Sequence, residues 1–205
     1  MKKSLLLILL CFIGYKGFTQ EILLQVIDNY YPANPFADKF STFLQDLIYN
    51  KLISDKTIHK RTDSTFFYFK GNFDMENPFS FKPSHIDVIL AEKEFRFSDS
   101  SKVSDTILVY QLIGYTTKSL KTVKDEFIQF EKQFGTRFYR STSSDIMNAG
   151  QPEGATHNYF VKTTSVSPIS VSWGRMNNNE YAYVITIRFL SRQNEALLPS
   201  FATNN

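Results

Sequence analysis

Cysteine is nearly missing from this chain: the 205 residues contain one, Cys11. A lone thiol closes no intrachain disulfide and supplies no Cys-rich zinc site. Histidine is scarce as well. His59, His85 and His157 lie far apart, with no second histidine or cysteine three to five residues away, so no metal-ligand spacing is present. The sequence has no Gly-x-Ser-x-Gly, no glycine-rich phosphate loop ahead of a helix and no His-Glu-x-x-His. It also lacks low-complexity stretches and long apolar runs. The longest apolar run, Leu5–Ile13, is well short of the about 20 residues that a membrane-spanning helix needs. These absences leave no expectation of a metal, a cofactor or a transmembrane helix in the chain that follows this run.

The apolar run itself reads as an address. Lys2 and Lys3 precede it, and Gly17 and Thr19 follow as small residues three and one positions before a cut between Thr19 and Gln20. This is the layout of a secretory signal peptide over residues 1–19. A rival cut before Cys11, with lipidation of that cysteine, is disfavoured because Leu10 is not small. Gln after a small residue resembles the signals of exported Bacteroidetes proteins; the resemblance extends to the signal only. The expected location is periplasmic or secreted. Lys2, Lys3 and Lys16 leave with the signal, so the 23 basic residues fall to match the 20 acidic ones. No basic field remains to draw nucleic acid or an anionic membrane. Cys11 leaves too, which excludes thiol catalysis.

What the chain has in quantity is aromatic side chains, with 20 Phe and 11 Tyr. Their spacing gives the most legible element. Leu120, Val123, Phe127, Phe130 and Phe134 recur at steps of three and four, the period of one helical face. Ser119 is placed to cap that helix. Gly135 is placed to end it in the left-handed conformation. An earlier helix is expected to open at Asn34-Pro35 and carry Phe36, Phe40, Phe43, Leu44, Leu47, Ile48 and Leu52 on one face. Gln20–Val26 reads either as a short strand or as the start of the first helix, broken from Asp28 onward.

Strands are expected at Ser64–Phe69, His85–Leu90, Thr106–Tyr115, Thr136–Ser141, Tyr159–Thr163, Ile169–Trp173 and Tyr181–Phe189. Phe95 and Phe97 carry the apolar positions on the opposite parity to Ile86, Val88 and Leu90, which predicts a bulge within Ala91–Glu94. Asp99–Asp105 reads as a polar turn. Gly71–Pro83 and Ser143–His157 read as long loops, and Met176–Glu180 as a hairpin turn. The fold class is α+β: an antiparallel sheet with two amphipathic helices on one face. Similar order in residues 34–116 and 117–192 reads as a two-fold α-β-β-β repeat within a single domain, residues 20–192, ahead of a tail, residues 193–205.

Candidate chemistry is thin. His85 and Asp87 share a strand face, where the carboxylate would orient an imidazole for general-base work; a surface pair is the plainer account. His157 ends a Gly/Pro loop. Asp125-Glu126 are adjacent carboxylates that point apart on a helix and fit a solvated face. The candidate binding residues are Phe79, Phe81, Trp173 and Arg175. Trp and Arg are enriched at binding hot spots, and a purely solvated loop would rarely keep two phenylalanines. Each has a packing alternative: Phe79 and Phe81 tucked under the domain edge, Trp173 facing the core by its alternation. No catalytic residue is singled out. The expectation is an exported, non-catalytic binding module for a protein, a peptide or an apolar ligand. Its rival is a small exported hydrolase with a dispersed His/carboxylate site using His85 or His157.

Overall fold

A computed structural model describes residues 21–30, 59–62, 66–72, 76–96, 104–161 and 166–190. The expected signal segment, the expected helix from Asn34-Pro35 and the expected tail lie outside them. Eight strands form one antiparallel sheet: β1 (His59–Thr62), β2 (Phe66–Asn72), β3 (His85–Arg96), β4 (Ser104–Thr116), β5 (Arg140–Asn148), β6 (Gln151–Phe160), β7 (Ile169–Arg175) and β8 (Tyr181–Leu190). Their spatial order is β1-β2-β3-β4-β8-β7-β6-β5. Two four-stranded meanders thus meet along β4 and β8. Two helical segments are described: α1, residues 21–30, and α2 (Leu120–Gln133). The class is α+β, as the sequence predicts.

Side chains alternate across a sheet and directly opposed residues share a face. The register therefore sorts the core. Val88 opposes Leu112, which opposes Ile185, then Val171, then His157, then Ser143. The neighbouring row runs Leu90, Tyr110, Ile187, Ile169, Tyr159, Ser141. The second row is apolar as far as Tyr159 on β6, and the first as far as Val171 on β7, after which His157 takes the place on β6. Val123, Phe127 and Phe130 of α2, its C-cap Phe134, and Ile22, Val26, Ile27 and Tyr30 of α1 belong to the same buried cluster.

α2 begins as expected, with the Ser119 hydroxyl accepting from the Thr122 N–H at 3.3 Å. Its end differs. Gly135 is not left-handed; the chain tightens into a 3-10 turn, Gly135–Arg137. A Cβ on Gly135 would meet the Glu131 carboxylate, so this glycine makes room for a side chain rather than for a backbone reversal. α1 resolves the ambiguity of Gln20–Val26 in favour of helix, and it runs on through Asp28 to Tyr30.

Three strand expectations are corrected. No bulge interrupts Ala91–Glu94: β3 pairs with β4 in one unbroken register from His85 to Arg96. Thr136–Ser141 is not a strand, since 3-10 turn occupies its first part and β5 starts at Arg140. Ser143–His157 is not a loop but most of the β5–β6 hairpin. Its Pro152 and Gly154 flank a register shift, with Ile146 opposite Gly154 and Met147 opposite Pro152, so Glu153 is the extra residue. Gly154 is required there, because a Cβ would lie 2.4 Å from the Trp173 carbonyl oxygen.

The hairpin turns at Ala149-Gly150, both at positive φ (48° and 78°). Two-residue hairpins favour such mirror-image turns, with Asn or Gly supplying them. Alanine in this region costs about 1–2 kcal/mol. Ala149→Asn is accordingly expected to raise stability by about 1 kcal/mol, read as a higher denaturation midpoint at unchanged slope. A lower midpoint would contradict the turn.

Candidate functional site

The apolar stripe of α2 is bracketed by two carboxylates. Glu126 lies three residues after Val123 and four before Phe130, on the inner side of the helix, and is only 5% exposed. Glu131 lies on the other flank, towards β6. Each is held by a different part of the fold.

Glu126 sits beneath the segment 76–84. The Ser80 N–H donates to its Oε2 at 3.0 Å, and the Ser80 hydroxyl donates to the same oxygen. Asn77 shapes that segment: its Nδ2 donates to the carbonyls of Phe79 (3.0 Å) and Phe81 (2.8 Å), and its Oδ1 accepts from the Phe79 N–H (3.1 Å). Phe79 and Phe81 stack at 5.4 Å and lie over Gly114, where a Cβ would be 2.6 Å from the Phe79 ring. Tyr30 and Tyr183 complete the surroundings, each with its hydroxyl pushed up by burial.

Burial raises the Glu126 carboxyl above its ordinary 4.5, and the Ser80 hydrogen bonds oppose that only in part. A carboxyl whose value is higher in the folded state than in the unfolded chain favours folding most when protonated. That stability is fully present below 4.5 and is lost as pH rises through the raised value. Glu126→Gln removes the penalty while keeping an acceptor for Ser80. The variant is expected to lose less stability than the parent as pH rises above the ordinary carboxylate value of 4.5 in denaturant melts. Equal pH slopes would exclude a buried carboxylate.

Glu131 gathers two partners from β6. The Tyr159 hydroxyl donates to its Oε1, and His157 Nδ1 stands 4.0 Å from the same oxygen. Burial raises the Tyr159 hydroxyl's pKa, and the bond to Glu131 raises it further. The His157 ring packs 4.4 Å from that of Phe127. Ser143 of β5 is directly across the strand pair from His157, on the same face.

The expected site residues are not brought together as one surface. Phe79 and Phe81 are buried over Gly114. Trp173 is buried on β7, with Lys124 Nζ 5.5 Å from its ring and the Phe127 ring 6.4 Å away. Arg175 remains exposed and spans Glu153 (3.5 Å) and Asn179 (3.0 Å). His85 stacks on Tyr115 at 4.2 Å, while Asp87 turns to Lys70 at 2.8 Å, so the predicted His85–Asp87 pairing is replaced by two other contacts. Glu126 corrects the solvated-face expectation for Asp125-Glu126; only Asp125, paired with Lys121, fits it. The spacing from Val123 and Phe130 was the signal for Glu126. Among the described residues no group of three or more His, Cys, Asp and Glu could hold a metal ion. No described helix is long and apolar enough to cross a membrane.

The surface feature that stands apart is β5. All nine of its residues are exposed, and no described strand pairs with its outer edge. The opposite edge of the sheet, β1, has only four residues. Tyr139 (65%), Ile146 (52%) and Met147 (56%), three of the large apolar side chains that the fold leaves exposed, lie on β5 or lead into it. Comparison with known protein families, curated proteins and solved structures finds no match to this chain.

Proposed function

We propose that this chain is an exported, non-catalytic binding module that takes up another polypeptide along the open edge of β5. The observation that carries the reading is the exposure of the whole of β5 on both faces, with Tyr139, Ile146 and Met147 beside the unpaired edge. Proteins normally blunt such edges with lysine, proline or short strands. β5 has neither residue and runs for nine; Arg140 and Asp145 are its two charges, and the bulge opposite Ile146 and Met147 lies on β6 rather than on the edge strand itself. A free row of backbone N–H and C=O groups selects an extended chain, and apolar side chains beside it add contact area. Export is supported by the Lys2-Lys3 start and the Leu5–Ile13 run.

The same reading places both helices on one face and treats the two meanders as a two-fold repeat. α1 and α2 share one buried cluster with a single sheet face, and the strand order mirrors itself about β4 and β8. The mirror pairs β1 with β5 and β2 with β6. It therefore matches the segment after β2 with that after β6.

A photo-crosslinking residue at Met147, in cells that make the protein, tests the reading. A protein adduct at Met147 and none at exposed Ile128 on α2 is the expected result. Absence of any adduct at Met147 overturns it.

A second reading, a small hydrolase, rests on the alignment of Ser143, His157 and Glu131 across β5, β6 and α2. In it, His157 takes the proton of the Ser143 hydroxyl as that oxygen adds to an ester carbonyl, the C–O bond to the alcohol breaks and the alcohol leaves with that proton, water then releases the acyl group from Ser143, and Glu131 orients the imidazole throughout. Hydrolysis of a nitrophenyl ester that disappears in both Ser143→Ala and His157→Ala would favour it. Equal rates in parent and variants would remove it.

A further inference from the structure

Building on the binding reading, we infer that the polypeptide taken up by β5 is the β5 strand of a second copy of this chain, related by a two-fold axis normal to the sheet. Such an axis maps each sheet face onto itself, so residues that oppose one another must have the same parity. Among the registers this permits, one places Ser143 opposite its own copy. Tyr139 then faces Met147 of the partner subunit, Arg140 faces Ile146 of the partner subunit, Ser141 faces Asp145 of the partner subunit and Thr142 faces Ser144 of the partner subunit.

This register uses every exposed apolar side chain at the edge twice. It pairs an aromatic ring with a methionine sulfur, a favourable contact. It lays the aliphatic stem of Arg140 on Ile146 and sets a hydroxyl donor against the Asp145 carboxylate. No like charges stand opposite each other. Moving the axis to Ser144 would set Tyr139 against the turn residue Ala149, and moving it to Thr142 would set Tyr139 against Asp145. Of these three positions, Ser143 is the one that leaves the strand self-complementary.

The pairing also closes. Each copy contributes the long open edge of its described sheet, and the joined sheet ends in two four-residue β1 strands, which offer little to a third copy. A single strand edge covers less than the about 800 Å² per partner of a standard stable interface. The association is therefore reversible and concentration-dependent rather than obligate.

Sedimentation velocity over a concentration series tests this, with two variants chosen for the axis. Ser143→Lys sets two ammonium groups against each other and should abolish the faster boundary while leaving the thermal midpoint near that of the parent. Ser143→Cys, in a Cys11→Ser background, should oxidise to a disulfide-linked dimer far more readily than Thr117→Cys, an exposed site away from the edge. A parent that stays monomeric at every concentration overturns the inference. So does equal cross-linking at Ser143 and Thr117, or a Ser143→Lys variant that still dimerises. If the parent is monomeric while Met147 captures a different protein in cells, the second-copy inference fails and the binding reading stands; if Met147 captures nothing, both fail.

Discussion

Phe130→Ala is expected to cost about 3–5 kcal/mol, a large share of the roughly 5–15 kcal/mol that holds a domain together. Phe130 is 1% exposed and stands where both helices meet the sheet. Its ring is 5.2 Å from Phe134, 5.3 Å from Tyr159 and 6.3 Å from Tyr30. Truncation opens a void walled by large rigid rings, which cannot collapse to fill it. Lys124→Ala is the internal control. It loses only the approach of Nζ to the Trp173 ring, worth about 0.5–1 kcal/mol at a partly exposed site. Urea melts of the two variants should differ severalfold in lost stability. Equal losses would mean that the inner face of α2 has been misidentified.

The paired change Phe79→Ser with Phe81→Ser is expected to be as damaging or worse. The two rings stack on each other, Phe79 meets the edge of Tyr183 at 5.7 Å, and both lie over Gly114. Removing them empties the space over Gly114 and beside Tyr30 and Tyr183, and puts two hydroxyls into a buried, aromatic site. Each large-to-small change in a core costs about 3–5 kcal/mol for Phe, though neighbours that touch do not add simply. A marked fall in the thermal midpoint is the expected result. An unchanged midpoint would return both residues to the role of surface contacts.

The parts of the fold that were legible are those with a repeating burial pattern. α2 announces itself because Val123, Phe127, Phe130 and Phe134 face one core. β7 and β8 do so because Val171 and Trp173, or Tyr183, Ile185 and Ile187, alternate with smaller or polar residues around a run of three asparagines. β5 was illegible for the converse reason. A strand exposed on both faces has no alternation to read, and its Ser/Thr content looks like a loop. Pro152 and Gly154 deepened the error, since both are turn formers by composition and here serve a bulge and a close backbone approach. The polar sites were hidden by distance along the chain. Ser80 reaches Glu126 across 46 positions and Tyr159 reaches Glu131 across 28, contacts that no local pattern encodes.

The seam between β4 and β8 governs the order in which the molecule can assemble. Thr116 must find Tyr181 and Ile107 must find Leu190, partners separated by nearly the whole second half of the described chain. Pairings this remote close large loops and slow folding. A chain that emerges N-terminal end first can complete β1 to β4 early, but β4 then waits with a bare inner edge, rich in Ile and Leu, until the last described strand arrives. During that interval the half-formed sheet is at its most prone to stick to its neighbours. The slower β8 docks, the longer that bare edge stays open to other chains.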